Sequence, residues 1–222
     1  LLRWKAKLYQ SEGIPYAAYD LFRQTLRRFP ELPGREVMLW EAAEAAKAVG
    51  RVREAALFLE ELLGKYPGSA YGPQARMLLA ESYAEAGRLD EARNLYARLA
   101  ETSPSSRVAA EAVVQLAGIA MDRRDYGEAI RLLEARVAAA TTIEGNDGVY
   151  LALARAYKAA GRLDDARRVL RDIVEFFPES DTIPKAMVLS TEVLDALNMR
   201  SQAVQNARQA AARYPGSPEV LK

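Results

Sequence analysis

Residues 73–106 read PQARMLLAESYAEAGRLDEARNLYARLAETSPSS. Apolar Met77, Leu79, Ala80, Tyr83, Ala84 and Ala86 fall roughly three to four apart, which is a helical period. Pro73 suits the first helical turn, where its missing N–H is not needed. Gly87 fits a helix C-terminus, since a left-handed backbone costs glycine nothing. Asp90 reads as the N-cap of a second helix, whose apolar positions are Ala92, Leu95, Tyr96 and Leu99. Pro104, with Ser105 and Ser106, closes it, because proline lacks the donor the helix would use. The stretch predicts helix, tight turn, helix, tight turn, with helices of about 14 residues, or ~21 Å at 1.5 Å per residue.

The same pattern returns every 37 residues along the 222-residue chain. One column reads Ala18, Ala55, Ala92, Ala129, Ala166, Ala203. Another reads Pro30, Pro67, Pro104, Thr141, Pro178, Pro215, and a third Gly13, Gly50, Gly87, Arg124, Gly161, Asn198. A period of this length marks supersecondary units stacked in one dimension. A further column, Ala6, Ala43, Ala80, Ala117, Ala154 and Thr191, supplies small residues where the two helices of a pair cross. Alanine there lets the axes approach to the lower end of the ~8–10 Å range. Phe22, Leu59, Tyr96, Leu133 and Leu170 fill the space beside it, with Ala207 the exception.

Composition narrows the function classes. Thirty-one basic and 30 acidic residues leave a formal charge of +1, without the basic footprint of a nucleic-acid binder. No apolar run approaches the ~20 residues of a membrane span. Cysteine and histidine are both absent, which removes disulfides, thiolate and imidazole metal sites, and histidine acid–base chemistry. Absent cysteine fits a reducing or an oxidising compartment. The chain starts at Leu1 inside a helical pattern, and Pro215–Lys222 resembles the start of a seventh unit. It reads as a mature or excised fragment of a longer protein.

The columns resemble the tetratricopeptide repeat (TPR). Ala80, Tyr83, Gly87, Ala92 and Pro104 match that pattern in the third unit, and Ala154, Tyr157, Gly161, Ala166 and Pro178 in the fifth. The family's usual period is 34, so each unit carries three more residues, placed after the proline, as in Tyr66–Pro73. The resemblance implies an all-α fold, a right-handed α–α superhelix (solenoid) of about six TPR-like hairpins. Units run approximately over 1–35, 36–72, 73–109, 110–146, 147–183 and 184–222 of a single domain. The endings Tyr66-Pro67-Gly68-Ser69, Phe177-Pro178-Glu179-Ser180 and Tyr214-Pro215-Gly216-Ser217 are similar to TPR modules of bacterial envelope proteins, of the Tol-Pal coordinator and outer-membrane-assembly lipoprotein types. That likeness implies a periplasmic or outer-membrane-associated protein, with a cytoplasmic one as the alternative. Unit four departs from the pattern with Ala140, Thr141 and Arg124. Its exit, residues 141–148, reads as a plain linker with Asn146 or Asp147 capping the next helix, or as a looser joint between units 1–4 and 5–6.

In a TPR superhelix the first helices line the concave face, and the resemblance places the lining at the second, fifth, ninth, twelfth and thirteenth positions. These include Val37, Trp40, Glu44, Lys47 and Ala48 in unit two, and Gln74, Met77, Glu81, Ala84 and Glu85 in unit three. Unit four gives Glu111, Val114, Gly118, Met121 and Asp122, and unit five Gly148, Leu151, Arg155, Lys158 and Ala159. Unit six gives Lys185, Val188, Glu192, Asp195 and Ala196. The charges read as bands, acidic across units three and four, basic at Arg155 and Lys158, acidic again at Glu192 and Asp195. Trp40, Met77 and Met121 read either as anchors for a partner or as packing between repeats. No asparagine stands at the ninth positions, and the acidic middle of the groove argues against a carboxylate clamp.

No catalytic, cofactor or metal site emerges. Glycines mark turns without a phosphate-loop motif. Asp90-Glu91 and Asp164-Asp165 suit the positive end of a helix dipole, and Glu60-Glu61 reads as solvated surface. The expected function is therefore a non-enzymatic scaffold for a partner peptide or helix, with no nucleic acid and no membrane span. The alternatives are end-to-end self-association into homo-oligomers, which light scattering at several concentrations distinguishes, and an interaction segment of a larger protein.

Overall fold

The computed structural model describes residues 2–102, 106–139 and 145–220. Among these residues there are twelve helices and no strand: α1 (Leu2–Ser11), α2 (Pro15–Arg28), α3 (Arg35–Ala48), α4 (Val52–Lys65), α5 (Gly72–Glu85), α6 (Leu89–Thr102), α7 (Arg107–Asp122), α8 (Tyr126–Ala139), α9 (Asp147–Ala159), α10 (Leu163–Phe176), α11 (Ile183–Ala196) and α12 (Arg200–Arg213). Odd-numbered helices are the first of each hairpin and even-numbered ones the second. The chain forms two compact units, Leu1–Leu99 and Ala100–Lys222. In the first, α1 to α5 each pack on the next; in the second, α7 to α12 do the same, and α9 also packs on α7 and α11. Pro104, Ala140 and residues 141–144 of the expected joint lie outside the described residues.

The small-residue columns do what their size dictates. Ala18, Ala55, Ala92, Ala129 and Ala166 are wholly inaccessible, as are Ala6, Ala43, Ala80 and Ala154. Beside them Phe22, Leu59, Tyr96, Leu133 and Leu170 are buried, while Ala207 is exposed. In the second unit this core runs without a break from Ala110 through Leu133, Tyr157 and Ile173 to Val193.

The turn within each hairpin needs one left-handed residue. Gly13, Gly50, Gly87 and Gly161 supply it with φ between 73° and 80°, and Arg124 and Asn198 adopt φ 60° in the same column. A Cβ clashes with the following carbonyl there, at a cost of roughly 1–2 kcal/mol. Arg124→Gly is therefore expected to raise stability by about 1 kcal/mol, after the extra unfolded-state freedom of glycine is subtracted. Chemical denaturation checks it, and an unchanged or lower midpoint refutes it.

The expected Asp90 cap is corrected. Helix α6 starts at Leu89, which places Asp90 inside the first turn. At the matching positions before α4 and α10 stand Arg51 and Arg162, neither with a side-chain cap bond. The stop is local: the Arg88 and Arg162 amides bond back to the Tyr83 and Tyr157 carbonyls at 2.8 Å.

The three additional residues per repeat form a second turn. The Ser69 amide bonds to the Tyr66 carbonyl at 3.0 Å, and the Gly72 amide to the Ser69 carbonyl at 2.9 Å. The same two-step exit follows Phe29, Phe177 and Tyr214. Where the exit carries serine, the hydroxyl closes it further. Ser69 Oγ accepts from the Tyr71 amide at 3.2 Å, and Ser180 Oγ from the Thr182 amide at 3.0 Å. Short hydroxyl side chains favour such local bonds over helix continuation.

Candidate interaction surface on the first helices

In the first unit, α3 carries Val37, Trp40, Glu44 and Lys47, spaced so that they share one helical face. Trp40 stacks on Tyr71 with ring centroids 5.6 Å apart and planes 14° from parallel, and both stay partly exposed. Tyr71 comes from the added residues, so the longer repeat itself supplies the second ring. Lys47 pairs with Glu81 and lies 3.4 Å from Glu85, both on α5. Next to Trp40, Glu41 is nearly buried and receives Arg3 through two bonds of 2.7 Å and Lys7 at 2.9 Å. Burial pushes the Glu41 carboxyl up, but Arg3 and Lys7 outweigh it and hold it below the usual carboxylate range. Glu44 is different. Its side chain is exposed, yet surrounding protein desolvates the carboxyl and Glu41 repels it, so it lies above its ordinary value despite Lys7.

Met77 is corrected as an anchor. It is only 7% exposed and belongs to the core, leaving little surface for a partner. Met121 is half-buried against the core of the second unit. Trp40 combines both readings, packed on one ring face and open in part.

In the second unit, Lys158 on α9 pairs with Glu192 on α11. The Lys47–Glu81 contact thus recurs three hairpins further along the chain, at the same two repeat positions. The expected charge bands are broken into local pairs. Arg155, Asp122 and Asp195 are exposed, and among the described residues they and Glu44 enter no ion pair. Arg155 borders a recess of about 230 Å³ with Lys185, Val188 and Glu192. A larger cleft of about 810 Å³ takes in the expected positions Glu111, Val114 and Gly148, and is lined also by Phe176 and Phe177.

Another arrangement recurs two repeats apart and was hidden in the sequence. The Tyr83 hydroxyl donates to Glu60 at 2.7 Å, and the Arg88 guanidinium lies 4.0 Å from the ring centroid. Tyr157 donates likewise to Glu134, with Arg162 at 4.5 Å. Burial first, then the carboxylate acceptor, pushes each tyrosine up to about 12. Glu60, exposed as expected, is therefore also a cross-helix acceptor, while Glu61 is partly buried and pairs with Arg35 at 2.9 Å, which corrects its reading as solvated surface.

Among the described residues, twelve consecutive helices, paired around small-residue crossings and repeating at a fixed period, define a helical-hairpin repeat protein. The tetratricopeptide-repeat profile matches residues 46–116 and 120–187, and the chain belongs to that family. No curated protein sequence matches it. Among solved structures it is similar to the C-terminal part of a TPR protein from Cytophaga hutchinsonii, with TM-score 0.71 at 12% identity over 97% of this chain and 80% of that one. It is similar to PilW, described as a widely conserved type IV pilus biogenesis factor, with TM-score 0.69 at 19% identity over 99% and 95%. A TPR protein from Parabacteroides merdae gives TM-score 0.69 at 15% identity over 95% and 78%. Identities this low speak for the fold alone. Among the described residues no helix is long and apolar enough to cross a membrane.

Proposed function

We propose that this chain is a non-enzymatic protein-interaction scaffold that holds a partner's extended peptide or helix along the faces of its first helices. The TPR fold supports a scaffold role. The observation that carries the location is the Trp40–Tyr71 stack, two large rings left partly open on that face beside the exposed carboxylate of Glu44. Aromatic anchors of this kind dominate binding energy in many interfaces. Met121, Asp122, Arg155, Lys158, Glu192 and Asp195 form the corresponding surface in the second unit, with Arg155 its open cation. A setting in a bacterial envelope complex is supported by the aromatic-Pro-x-Ser endings.

The test is peptide selection from a displayed library, followed by titration of the selected binders. Trp40→Ala or Arg155→Glu is expected to weaken binding by roughly tenfold. Leu57→Ser, at a 62%-exposed site on α4, should change nothing. Lys158 is the poorer choice for charge reversal, since its loss also strands Glu192. Binders indifferent to both inner substitutions, or lost with Leu57→Ser, would reject the assignment. Self-association is a second reading, favoured by Trp4, 66% exposed on α1, with Leu8 one turn further on.

A further inference from the structure

We infer that the first unit selects an extended cationic peptide, with an apolar residue on the Trp40–Tyr71 stack and a lysine or arginine two positions along on Glu44. This rests on the interaction surface proposed above and adds its chemistry.

The charges on this face come first. Arg3 and Lys7 are committed to Glu41. Lys47 is committed to Glu81 and Glu85. Glu44 remains, exposed and without an ion pair among the described residues. The carboxyl is already desolvated and repelled by Glu41, so an arriving cation relieves an existing cost. An arriving carboxylate would add to it.

Spacing comes second. Trp40 and Glu44 are one helical turn apart, with Cβ atoms about 5–6 Å from each other. In an extended chain, residues i and i+2 point the same way and are separated by roughly 6.6 Å. The two positions thus fit alternate side chains of one strand-like peptide. Third, Val37, one turn before Trp40, walls a recess of about 470 Å³ with Leu2, Phe29, Leu32 and Met38. That size lies within the usual range for a binding pocket, about 300–1,000 Å³. Its one charged wall residue, Arg3, is neutralised by Glu41. The recess suits a second apolar side chain two residues before the first. The order along α3 is therefore apolar recess, aromatic stack, carboxylate.

Two fluorescein-labelled peptides test this. Each carries two alternating phenylalanines, and two residues after the second stands lysine in one peptide and glutamate in the other. Anisotropy titrations are expected to show the lysine peptide binding about tenfold more tightly. Glu44→Gln should abolish that preference and Glu44→Lys should invert it, with unchanged far-ultraviolet circular dichroism, as expected at an exposed site. Equal affinity of the two peptides, or a preference that survives Glu44→Lys, overturns the charge selection while leaving the surface itself standing. Failure of both peptides to bind, or binding indifferent to Trp40→Ala, overturns the surface and this inference with it.

Discussion

Ile173→Ala is expected to cost about 2–5 kcal/mol, because the methyls it removes leave a cavity that α9 and α11 cannot close. Ile173 is wholly inaccessible and lies in the continuous core of the second unit. Its neighbour Val174, about 100° further around α10, is 43% exposed. Val174→Ala should stay within about 0.5 kcal/mol of wild type. Denaturant titration of the two variants compares adjacent residues on one helix. Equal losses would mean that the packing of α10 is misassigned.

The second large effect concerns a buried cation. Arg136 on α8 is 6% exposed, and its Nε donates to Asn146 Oδ1 at 3.1 Å. Burial holds the guanidinium below its usual value. Asn146 is itself only 2% exposed. It stands at the N-cap of α9, yet makes no side-chain cap bond there. Its amide oxygen serves the arginine, which corrects the expected capping role. Asn146→Ala leaves a desolvated charge short of an acceptor and should cost about 2–3 kcal/mol. Replacing both partners in Arg136→Met/Asn146→Leu removes charge and acceptor together and should recover most of that loss. A double variant as unstable as the two single losses summed would show that the pair is not coupled.

The fold was legible because steric demands recur at fixed intervals. A small residue is required at each helix crossing and a left-handed residue at each hairpin turn, so both columns stand out in one dimension. Arg124 and Asn198, which break that column in sequence, adopt the same backbone geometry without being glycine. The surface was less legible. Lys47–Glu81 and Lys158–Glu192 each join the twelfth position of one first helix to the ninth of the next. That offset depends on the stagger between neighbouring hairpins, which the repeat period does not encode. Met77 shared a face with Glu81 by spacing, but the depth at which the core closes over that face is a tertiary property. Tyr71 was visible as part of the added segment; what it would stack on was not.

Arg35 and Asn146 occupy the same column, three repeats apart, as do Thr25 and Arg136. In the first unit the arginine comes from the start of α3 and donates to the carbonyls of Leu26 at 2.9 Å and Phe29 at 3.1 Å. In the second it comes from α8 and donates to the start of α9. The two junctions solve one problem with the cation supplied from opposite sides. Hairpins of this chain are therefore not interchangeable bricks. Splicing the α3 entrance behind α8 would bring two guanidiniums face to face, and the reciprocal splice would leave neither. A consensus drawn column by column would average the two solutions into one that works nowhere, so any recombination of these repeats must inherit both columns together.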